Sequence, residues 1–399
     1  MKYASYFSTS SLLNFVTFKS PLPKSMLEEE RKPDYVFLGL LGAVVTIGLV
    51  MLTSAAGPLG LEKFNDSYWF LKHQVAFGLF PGAVLFFFMS RIDYRRWRAH
   101  ALSLFALSIV LLLLVFVPGL GADWGTAKSW IHVGGFSLQP AEIVKLTFLF
   151  YLAAWMEKRG EEGVGDVARG VMPFMTAFGI IAVLLMLQPD LGGLLVFGAI
   201  AFAVYFVAGA RWSHIITLAV LGAGAGFLLI KSAPYRAARL MTFLHPELDP
   251  QGIGYHINQA FLAIGSGGWF GLGLGHSRQK YLYLPEVAGD SIFAVISEEL
   301  GFILTLCVLA LLVVFLLKCI DIARRAPDNY GRFLAAGIVG WVFAQTMFNA
   351  GSMLGLMPMT GLPLPFMSYG GTALMVLLAA MGVVANISTH AVSEHTRRG

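Results

Sequence analysis

Residues 281–317 read YLYLPEVAGDSIFAVISEELGFILTLCVLALLVVFLL, in which a polar loop runs into a long apolar segment. An apolar run of about twenty residues is long enough to cross the hydrocarbon core of a bilayer as a helix. Asp290 lies where the loop meets this segment. A carboxylate at a membrane boundary is costly unless it has a function, although Asp also caps helix N-termini. Position and residue type leave both interpretations of Asp290 open.

The rest of the chain has the same apolar character. Of its 399 residues, 57% are hydrophobic and 13% are charged, and the mean hydropathy is +0.72. The apolar runs are continuous and do not alternate, which disfavours a membrane β-barrel. We predict an all-α polytopic bundle with about ten spans. The predicted spans are residues 35–56, 70–90, 101–118, 141–156, 171–188, 190–208, 213–230, 291–317, 333–355 and 371–389.

Basic residues are concentrated in alternate connections between these spans, and basic loops remain in the cytoplasm. Both termini are therefore predicted to be cytoplasmic, with tails at 1–34 and 390–399 around a membrane domain at 35–389. The first tail has no apolar core or cleavage site of a signal peptide. The arginines predicted to face the cytoplasm are Arg91, Arg95, Arg96, Arg98, Arg159, Arg169, Arg211, Arg324, Arg325, Arg332, Arg397 and Arg398.

The connection at residues 231–290, between the seventh and eighth predicted spans, is a large extracytoplasmic loop. Structureless loops of this length are uncommon in compact proteins. Periodic apolar residues such as Ile257, Phe261 and Ile264 lie within it. We predict short ordered helices at the membrane interface.

Other classes of function have little support. A net charge of +5 is explained by basic cytoplasmic loops, so it does not indicate nucleic-acid binding. Cys307 and Cys319 are twelve residues apart on one predicted helix, about 18 Å, which is too far for a disulfide. The glycine runs at 265–268 and 271–275 lack the strand and helix of a dinucleotide site. No Cys/His spacing typical of a metal site is present.

Two polar pairs lie on predicted spans. Glu142 and Lys145 are three residues apart and share a helix face, so they form either an ion pair or a cationic contact for an anionic ligand. Gln345 and Asn349 are four apart and are predicted to make hydrogen bonds between helices.

Further polar groups lie near Asp290 or in the outer segments. Glu298 is rotated by about 80° from Asp290 on a helix, so Glu298 and Glu299 are interpreted as structural or conformational acids. His132, His256 and His276 are predicted to be interfacial rather than catalytic.

Three stretches carry a resemblance to a known family. The first comprises Lys128-Ser-Trp-Ile131 and Phe136-Ser-Leu-Gln-Pro-Ala-Glu-Ile-Val-Lys145. The second includes Tyr235-Arg-Ala-Ala-Arg239, Asp249-Pro-Gln-Gly-Ile-Gly-Tyr255, Ser277-Arg-Gln-Lys280 and Leu284-Pro-Glu286. The third is Gly355-Leu-Met-Pro-Met-Thr-Gly-Leu-Pro-Leu-Pro-Phe-Met-Ser-Tyr-Gly-Gly371. Together they resemble the SEDS family of bacterial cell-wall polymerases, which includes FtsW, RodA and SpoVE.

The resemblance implies that Asp290 is catalytic, because it occupies the position of the family's essential aspartate. The family pattern reads Pro-Glu-x-His-Thr-Asp-Phe, whereas this chain has Ala288, Gly289 and Ser291 in place of the His, Thr and Phe. The stretches at 277–280 and 283–286 look more like the division member FtsW than the elongation member RodA.

The implied activity is that of an inverting peptidoglycan glycosyltransferase in the bacterial cytoplasmic membrane. It polymerises lipid II on the outer face, with polyprenyl pyrophosphate as the leaving group. No cofactor is required by the resemblance, and a role for a divalent cation is left open. The implied partners are a class B penicillin-binding protein and other division proteins. The candidate substrate-binding residues are Lys128, Glu142, Lys145, Arg236, Arg239, Lys280, Glu286, Ser368 and Tyr369.

Three alternatives remain at this stage. A lipid II flippase would use polar groups in the spans as its path and the large loop as a gate. A scaffold would only recruit a transpeptidase, and it would leave the charged outer loop unexplained. A RodA-like polymerase would act in elongation instead of division.

The predicted topology is testable with reporter fusions. Reporters at Arg96, Arg159 or Arg325 are expected to read cytoplasmic, and one near Gln251 is expected to read exterior, because the basic loops stay inside. A cytoplasmic signal from Gln251 would contradict both the span count and the placement of Asp290.

Overall fold

The computed structural model describes residues 32–124, 127–133, 136–231, 234–245, 252 and 254–391, so most of both predicted tails lies outside the described residues. Within these ranges the chain forms thirteen helices and one small sheet. The helices are α1 Tyr35–Phe64, α2 Trp69–Arg91, α3 Arg95–Ala99, α4 Ala101–Leu114, α5 Pro140–Val164, α6 Val167–Leu187, α7 Leu191–Val207, α8 Trp212–Lys231, α9 Pro234–Leu244, α10 Tyr255–Gly267, α11 Ile292–Arg325, α12 Asn329–Met353 and α13 Gly371–Thr389. Helices α2 and α6 each contain a π-helical turn, at Val75–Leu79 and Val167–Val171.

The polytopic helical architecture predicted from the sequence is confirmed, and the described residues are nearly all helical. Seven helices in the described ranges, α1, α2, α6, α8, α11, α12 and α13, are long and apolar enough to cross a membrane. Helices α4 and α7 are shorter apolar helices, and α5 occupies the position of the fourth predicted span. Each predicted span therefore corresponds to one helix of the structure.

A three-stranded antiparallel sheet between α4 and α5 was not predicted. Its strands are β1 Gly121–Trp124, β2 Ala127–Val133 and β3 Phe136–Leu138, in the order β1-β2-β3. These strands have only three to seven residues, too few to give a clear alternating pattern. The helix before them ends at Leu114, four residues earlier than the predicted span.

The large loop contains the two short helices α9 and α10, as predicted, while residues 246–251 and 253 lie outside the described part. Helix α10 packs closely on α11. A Cβ at Gly267 would overlap the backbone carbonyl oxygen of Ser297, so only glycine allows this approach. The buried residues Ile257 and Ala260 complete the face of α10 that contacts the rest of the protein.

Helix α11 is broken at Gly301, where φ is 72° and ψ is −179°. Residues 268–273 form backbone hydrogen bonds with the residues on either side of this break. The amides of Phe302 and Ile303 donate to the carbonyls of Gly268 and Trp269, at 2.9 and 3.2 Å. The carbonyls of Glu298 and Glu299 accept from the amides of Leu272 and Gly273, both at 3.0 Å. The inserted segment thus satisfies backbone groups that the interrupted helix leaves unpaired.

The side chains of Glu298 and Glu299 are buried below this break and are fully partnered. Glu298 accepts from the Ser277 hydroxyl at 2.5 Å. Glu299 accepts from Lys280 Nζ at 2.8 Å and from the Ser54 hydroxyl at 2.6 Å. Because a buried carboxylate must be paired to be stable, these contacts tie the 277–280 segment to α11 and α1. The structural interpretation of the two glutamates is confirmed.

The innermost helices are α12 and α13. Helix α13 packs against α2 through glycines at close contacts. A Cβ at Gly82 would meet the Leu378 side chain at 2.7 Å, and one at Gly382 would meet the Phe86 carbonyl oxygen at 2.6 Å. Small residues of this kind allow helix backbones to approach closely inside a membrane.

We expect Gly301→Ala to destabilise the protein by about 2 kcal/mol or more, because only glycine readily adopts this backbone conformation. An added Cβ would also collide with the backbone of Phe270 and Gly271. The matched control is Gly222→Ala, since a Cβ at Gly222 meets nothing within 4 Å. The thermal unfolding midpoint in detergent provides the measurement, and equal midpoints for the two variants would contradict this account of the break.

Candidate active site

Residues 288–290, in the loop that leads into α11, are held in place by hydrogen bonds to their backbone carbonyls. The carbonyl of Ala288 accepts from the Tyr369 amide at 2.7 Å. That of Gly289 accepts from the Ser368 hydroxyl at 2.6 Å, and that of Asp290 accepts from Asn349 Nδ2 at 2.7 Å. Three consecutive carbonyls are therefore fixed by groups from α12 and from the segment before α13.

The loop between α12 and α13 forms the opposite side of the site. Asn349 Nδ2 donates to the Leu362 carbonyl at 2.8 Å as well as to Asp290. Gln345 Nε2 donates to the Pro363 carbonyl at 3.0 Å. The prediction that Gln345 and Asn349 bond between helices is wrong in its partners, because both side chains bind backbone carbonyls of loops.

The Asp290 side chain does not cap α11. The N-cap position is Ser291, and it too makes no side-chain capping bond. Ser291 Oγ instead lies 3.5 Å from Asp290 Oδ1 and 2.5 Å from His256 Nε2. Of the two interpretations left open by the sequence, the structural one based on capping is not supported by this geometry.

Asp290 lines a partly enclosed cavity of about 180 Å³ between α9, α10 and the loop after α12. Its polar lining includes Arg239 and His256, together with the carboxylate. Its apolar lining consists of aromatic, aliphatic and thioether side chains, namely Phe243, Ile257, Phe261, Met357 and Met359. Gly355 and Gly361, both with positive φ, complete the wall on the α12 side.

The electrostatic environment favours a carboxyl group that exchanges protons near neutral pH. Burial, and after it the carboxylate of Glu286, raises the pKa of Asp290 to about 7, while Arg239 acts in the opposite direction. Burial, assisted by the positive charge of Arg239, lowers the pKa of His256 to about 4. At pH 7 the cavity therefore holds a neutral imidazole beside a carboxyl group close to half ionisation.

Several predicted site residues are placed around this loop in different roles. Arg239 lines the cavity, and its guanidinium lies 3.4 Å from the Met359 carbonyl. Glu286 is exposed on the same loop as Asp290. Ser368 and Tyr369 support the backbone of that loop, and the Tyr369 hydroxyl also contacts His73 Nδ1 at 2.8 Å.

Three other predicted substrate contacts lie in buried ion pairs outside the lining of this cavity. Lys145 Nζ is 2.6 Å from Glu142 Oε1 and 5.1 Å from the ring centre of Trp341, and both charged side chains are buried. Lys280 pairs with Glu299, as described above. These cations already have buried carboxylate partners, so the structure supports the ion-pair interpretation of Glu142 and Lys145.

Lys128 lies on β2 and Arg236 on α9, but both of their side chains are outside the described residues. Among the described residues, no group of three or more His, Cys, Asp or Glu side chains is arranged to hold a metal ion.

His256 and Asn349 have roles at the site that were not predicted from the sequence. His256 was predicted to be interfacial, yet it lines the cavity and contacts the residue next to Asp290. Its contact with Ser291 spans 35 positions of sequence, so no local spacing indicates it. Asn349 is a polar residue near the end of α12 that contacts the Asp290 loop. Its position on a predicted span was the clearer indication of a role at the site.

Comparisons with known proteins agree with the fold and with the motifs. A family model described as cell cycle protein, covering FtsW, RodA and SpoVE, matches residues 35–393. Stage V sporulation protein E of Bacillus subtilis is 40% identical over 365 residues, which cover 92% of this chain and 99% of that protein. A probable peptidoglycan glycosyltransferase FtsW of Geobacter metallireducens is 38% identical over 366 residues, with 92% and 97% coverage.

Solved structures give the same result. A chain of a peptidoglycan synthase complex matches with a TM-score of 0.73 at 29% identity, covering 89% of this chain and 97% of that one. The rod shape determining protein RodA of Thermus thermophilus matches with a TM-score of 0.66 at 30% identity, with 91% and 98% coverage. This chain, a multi-span membrane protein, therefore belongs to the FtsW/RodA/SpoVE family of cell cycle proteins.

Proposed function

We propose that the chain is a peptidoglycan glycosyltransferase that polymerises lipid II on the outer face of the bacterial cytoplasmic membrane. The observation that carries this proposal is the Asp290 carboxyl group, which faces a largely apolar cavity with Arg239 on its wall. Membership of the family and the glycosyltransferase name of the FtsW relatives support it.

In the proposed reaction, Asp290 acts as the general base. The hydroxyl oxygen of the acceptor sugar attacks the anomeric carbon of the donor, and its proton passes to the Asp290 carboxylate. The bond between that carbon and the pyrophosphate oxygen breaks, and polyprenyl pyrophosphate leaves with the bonding electrons. A single displacement of this kind inverts the anomeric configuration without a covalent enzyme intermediate.

The residues around Asp290 suit the remaining requirements. A base works best when its pKa is near the working pH, and the pKa of Asp290 is raised to about 7 by burial. Arg239, an exposed residue on the wall of the cavity, supplies positive charge for the departing pyrophosphate. The aromatic and thioether side chains Phe243, Phe261, Met357 and Met359 offer an apolar surface to the first isoprene units of the lipid.

We further propose a role in division, with both termini in the cytoplasm and a class B penicillin-binding protein as the partner. The FtsW names of several relatives support the division role. The similarity to a chain of a peptidoglycan synthase complex supports a transpeptidase partner. We expect this chain to restore growth to a strain depleted of its division polymerase. We do not expect it to restore growth to a strain depleted of its elongation polymerase.

Asp290→Asn is expected to abolish polymerisation. The amide cannot accept a proton, so a general-base contribution of about 10² to 10⁴ in rate should disappear. Since the carboxylate makes no capping bond, the folded protein should keep its thermal midpoint. The measurement is glycan-strand formation from lipid II by purified protein in liposomes.

The matched control for this substitution is Asp66→Asn, which neutralises a partly exposed carboxylate paired with Lys72 and is expected to remain active. Equal polymer yield from wild type and Asp290→Asn would contradict the role of Asp290. Polymer from neither protein, with lipid II transport intact in wild type, would instead favour the flippase.

Arg239→Ala is expected to lower polymerisation by about 10²-fold, the usual effect of losing one charge-stabilising group from a transition state. Arg239→Lys should recover part of this loss, since it keeps the charge. Lys145→Ala is expected to act differently, by lowering the thermal midpoint, because it leaves Glu142 buried without its partner.

The double variant Glu142→Gln with Lys145→Met removes both charges and tests the distinction. We expect it to fold and to polymerise lipid II. A folded but inactive double variant would show that Lys145 contacts the substrate after all, and full activity of Arg239→Ala would contradict the role given to Arg239.

A further inference from the structure

Asp290 is linked to a second element of the cavity through Ser291. The Ser291 hydroxyl oxygen is 2.5 Å from His256 Nε2 on α10 and 3.5 Å from Asp290 Oδ1. We call this arrangement the His256–Ser291–Asp290 bridge. Both of its ends line the cavity, whereas Ser291 itself is fully buried.

The position of Ser291 makes this arrangement informative. A serine at a helix N-cap usually accepts a hydrogen bond from a backbone amide of the first turn, which contributes about 1 kcal/mol. Ser291 is the N-cap residue of α11, yet its side chain makes no such bond. Its hydroxyl contacts the side chains of His256 and Asp290 instead of a backbone amide of the helix.

The position of His256 is set by the packing of α10. At the other end of this helix, Gly267 lies against the backbone of Ser297 on α11, and the intervening Ala260 and Ala263 are fully buried. Helices α10 and α11 are therefore packed against each other between Ala260 and Gly267, and this packing sets the distance between His256 and Ser291.

We propose that His256 is a positioning residue, which acts through Ser291 to orient the Asp290 carboxylate towards the cavity. The proposal rests on the proposed function of Asp290. Ala288 and Gly289 have no polar side-chain groups with which to support the Asp290 carboxylate. The proposal assigns this support to His256 of α10.

The direction of the hydrogen bonds follows from the number of available protons. An ionised carboxylate only accepts, so the single Ser291 hydroxyl hydrogen is donated to Asp290. The Ser291 oxygen then accepts from His256, which requires the proton of the neutral ring to be on Nε2. The bridge thus stabilises the ionised form of Asp290, which is the form that acts as a base.

Among the residues that the structure describes, few charged or titratable groups face the bridge. Arg239 comes from α9, Glu286 from the loop of Asp290 itself, and His256 from α10. The described residues of α12 and of the loop after it contribute the uncharged Asn349, Met357 and Met359. Because burial lowers the pKa of His256 to about 4, its ring stays neutral while Asp290 titrates near 7.

Infrared titration of the Asp290 carboxyl band tests the bridge without turnover. The band is assigned by its loss in Asp290→Asn, and its midpoint in wild type is expected near pH 7. Ser291→Ala is expected to raise that midpoint by about one pH unit, since a hydrogen bond to the charged form is lost. His256→Ala is expected to raise it in the same direction, since the Ser291 hydroxyl loses the partner that orients it towards Asp290. Ser291→Thr keeps the hydroxyl and should keep the midpoint.

Polymerisation kinetics give the second readout. Because the base works when ionised, wild-type kcat should rise with pH through the midpoint. Ser291→Ala and His256→Ala should lower kcat at neutral pH by about tenfold, the loss expected from a misplaced reacting group, with KM for lipid II unchanged. The pH profile should move to higher pH. His256→Gln retains an N–H donor and should recover part of the activity.

A matched control is His276→Gln, an exposed histidine whose ring contacts the Leu274 carbonyl and lies outside the cavity lining. It should change neither the carboxyl midpoint nor kcat. The double variant His256→Ala with Ser291→Ala should be no worse than either single variant, since both remove the same bridge.

The outcomes separate this inference from the proposed function. An unmoved carboxyl midpoint in both single variants, together with an inactive Asp290→Asn, would overturn the bridge and leave the proposed function standing. Independent, multiplicative losses in the double variant would also overturn it. Wild-type activity of Asp290→Asn would overturn the proposed function, and with it the catalytic purpose of the bridge, whatever the midpoint shows.

Discussion

The site depends on the burial of two adjacent carboxylates in α11. Glu298 and Glu299 are almost inaccessible to solvent, and ionised groups at such depth are stable only with complete hydrogen bonding. Their partners come from the 277–280 segment and from α1, so the chain between α10 and α11 must wrap back over the helix. The same wrapping brings residues 268–273 into the break at Gly301. The path of this segment leads directly into the loop that presents Asp290.

Most of the helical architecture could be predicted from the sequence, because apolar runs of membrane length are a strong and local signal. The boundaries were less accurate. Helix α1 continues past Pro58 to Phe64, and α5 continues past a non-helical Gly160 to Val164, about eight residues beyond the predicted ends. The end of an apolar run does not by itself end a helix. The sheet at 121–138 was missed because its strands are short and lie between two long apolar helices.

The site was predicted only in part, and the reason is the same for each miss. Asp290 and Arg239 were identified and do share a cavity. Lys280 was predicted to contact the substrate because its partners are not apparent in the sequence: it pairs with Glu299 nineteen positions away, and Ser54 joins them from 226 positions away. Only the Glu142–Lys145 pair has a local spacing, and there the sequence allowed both the correct interpretation and its alternative. Long-range pairing of buried charges is decided by the fold, not by residue type.

The three backbone carbonyls at 288–290 also explain why the unusual residues next to Asp290 need not displace it. The carbonyl oxygens of this loop accept hydrogen bonds from Tyr369, Ser368 and Asn349. Every amino acid has such a backbone carbonyl. These contacts consequently require no polar side chain at 288 or 289, although Ala288 is buried and the size of its side chain is constrained. The polarity of the flanking residues is free to drift during evolution, while the three residues that hold the carbonyls are the ones whose exchange would alter the geometry.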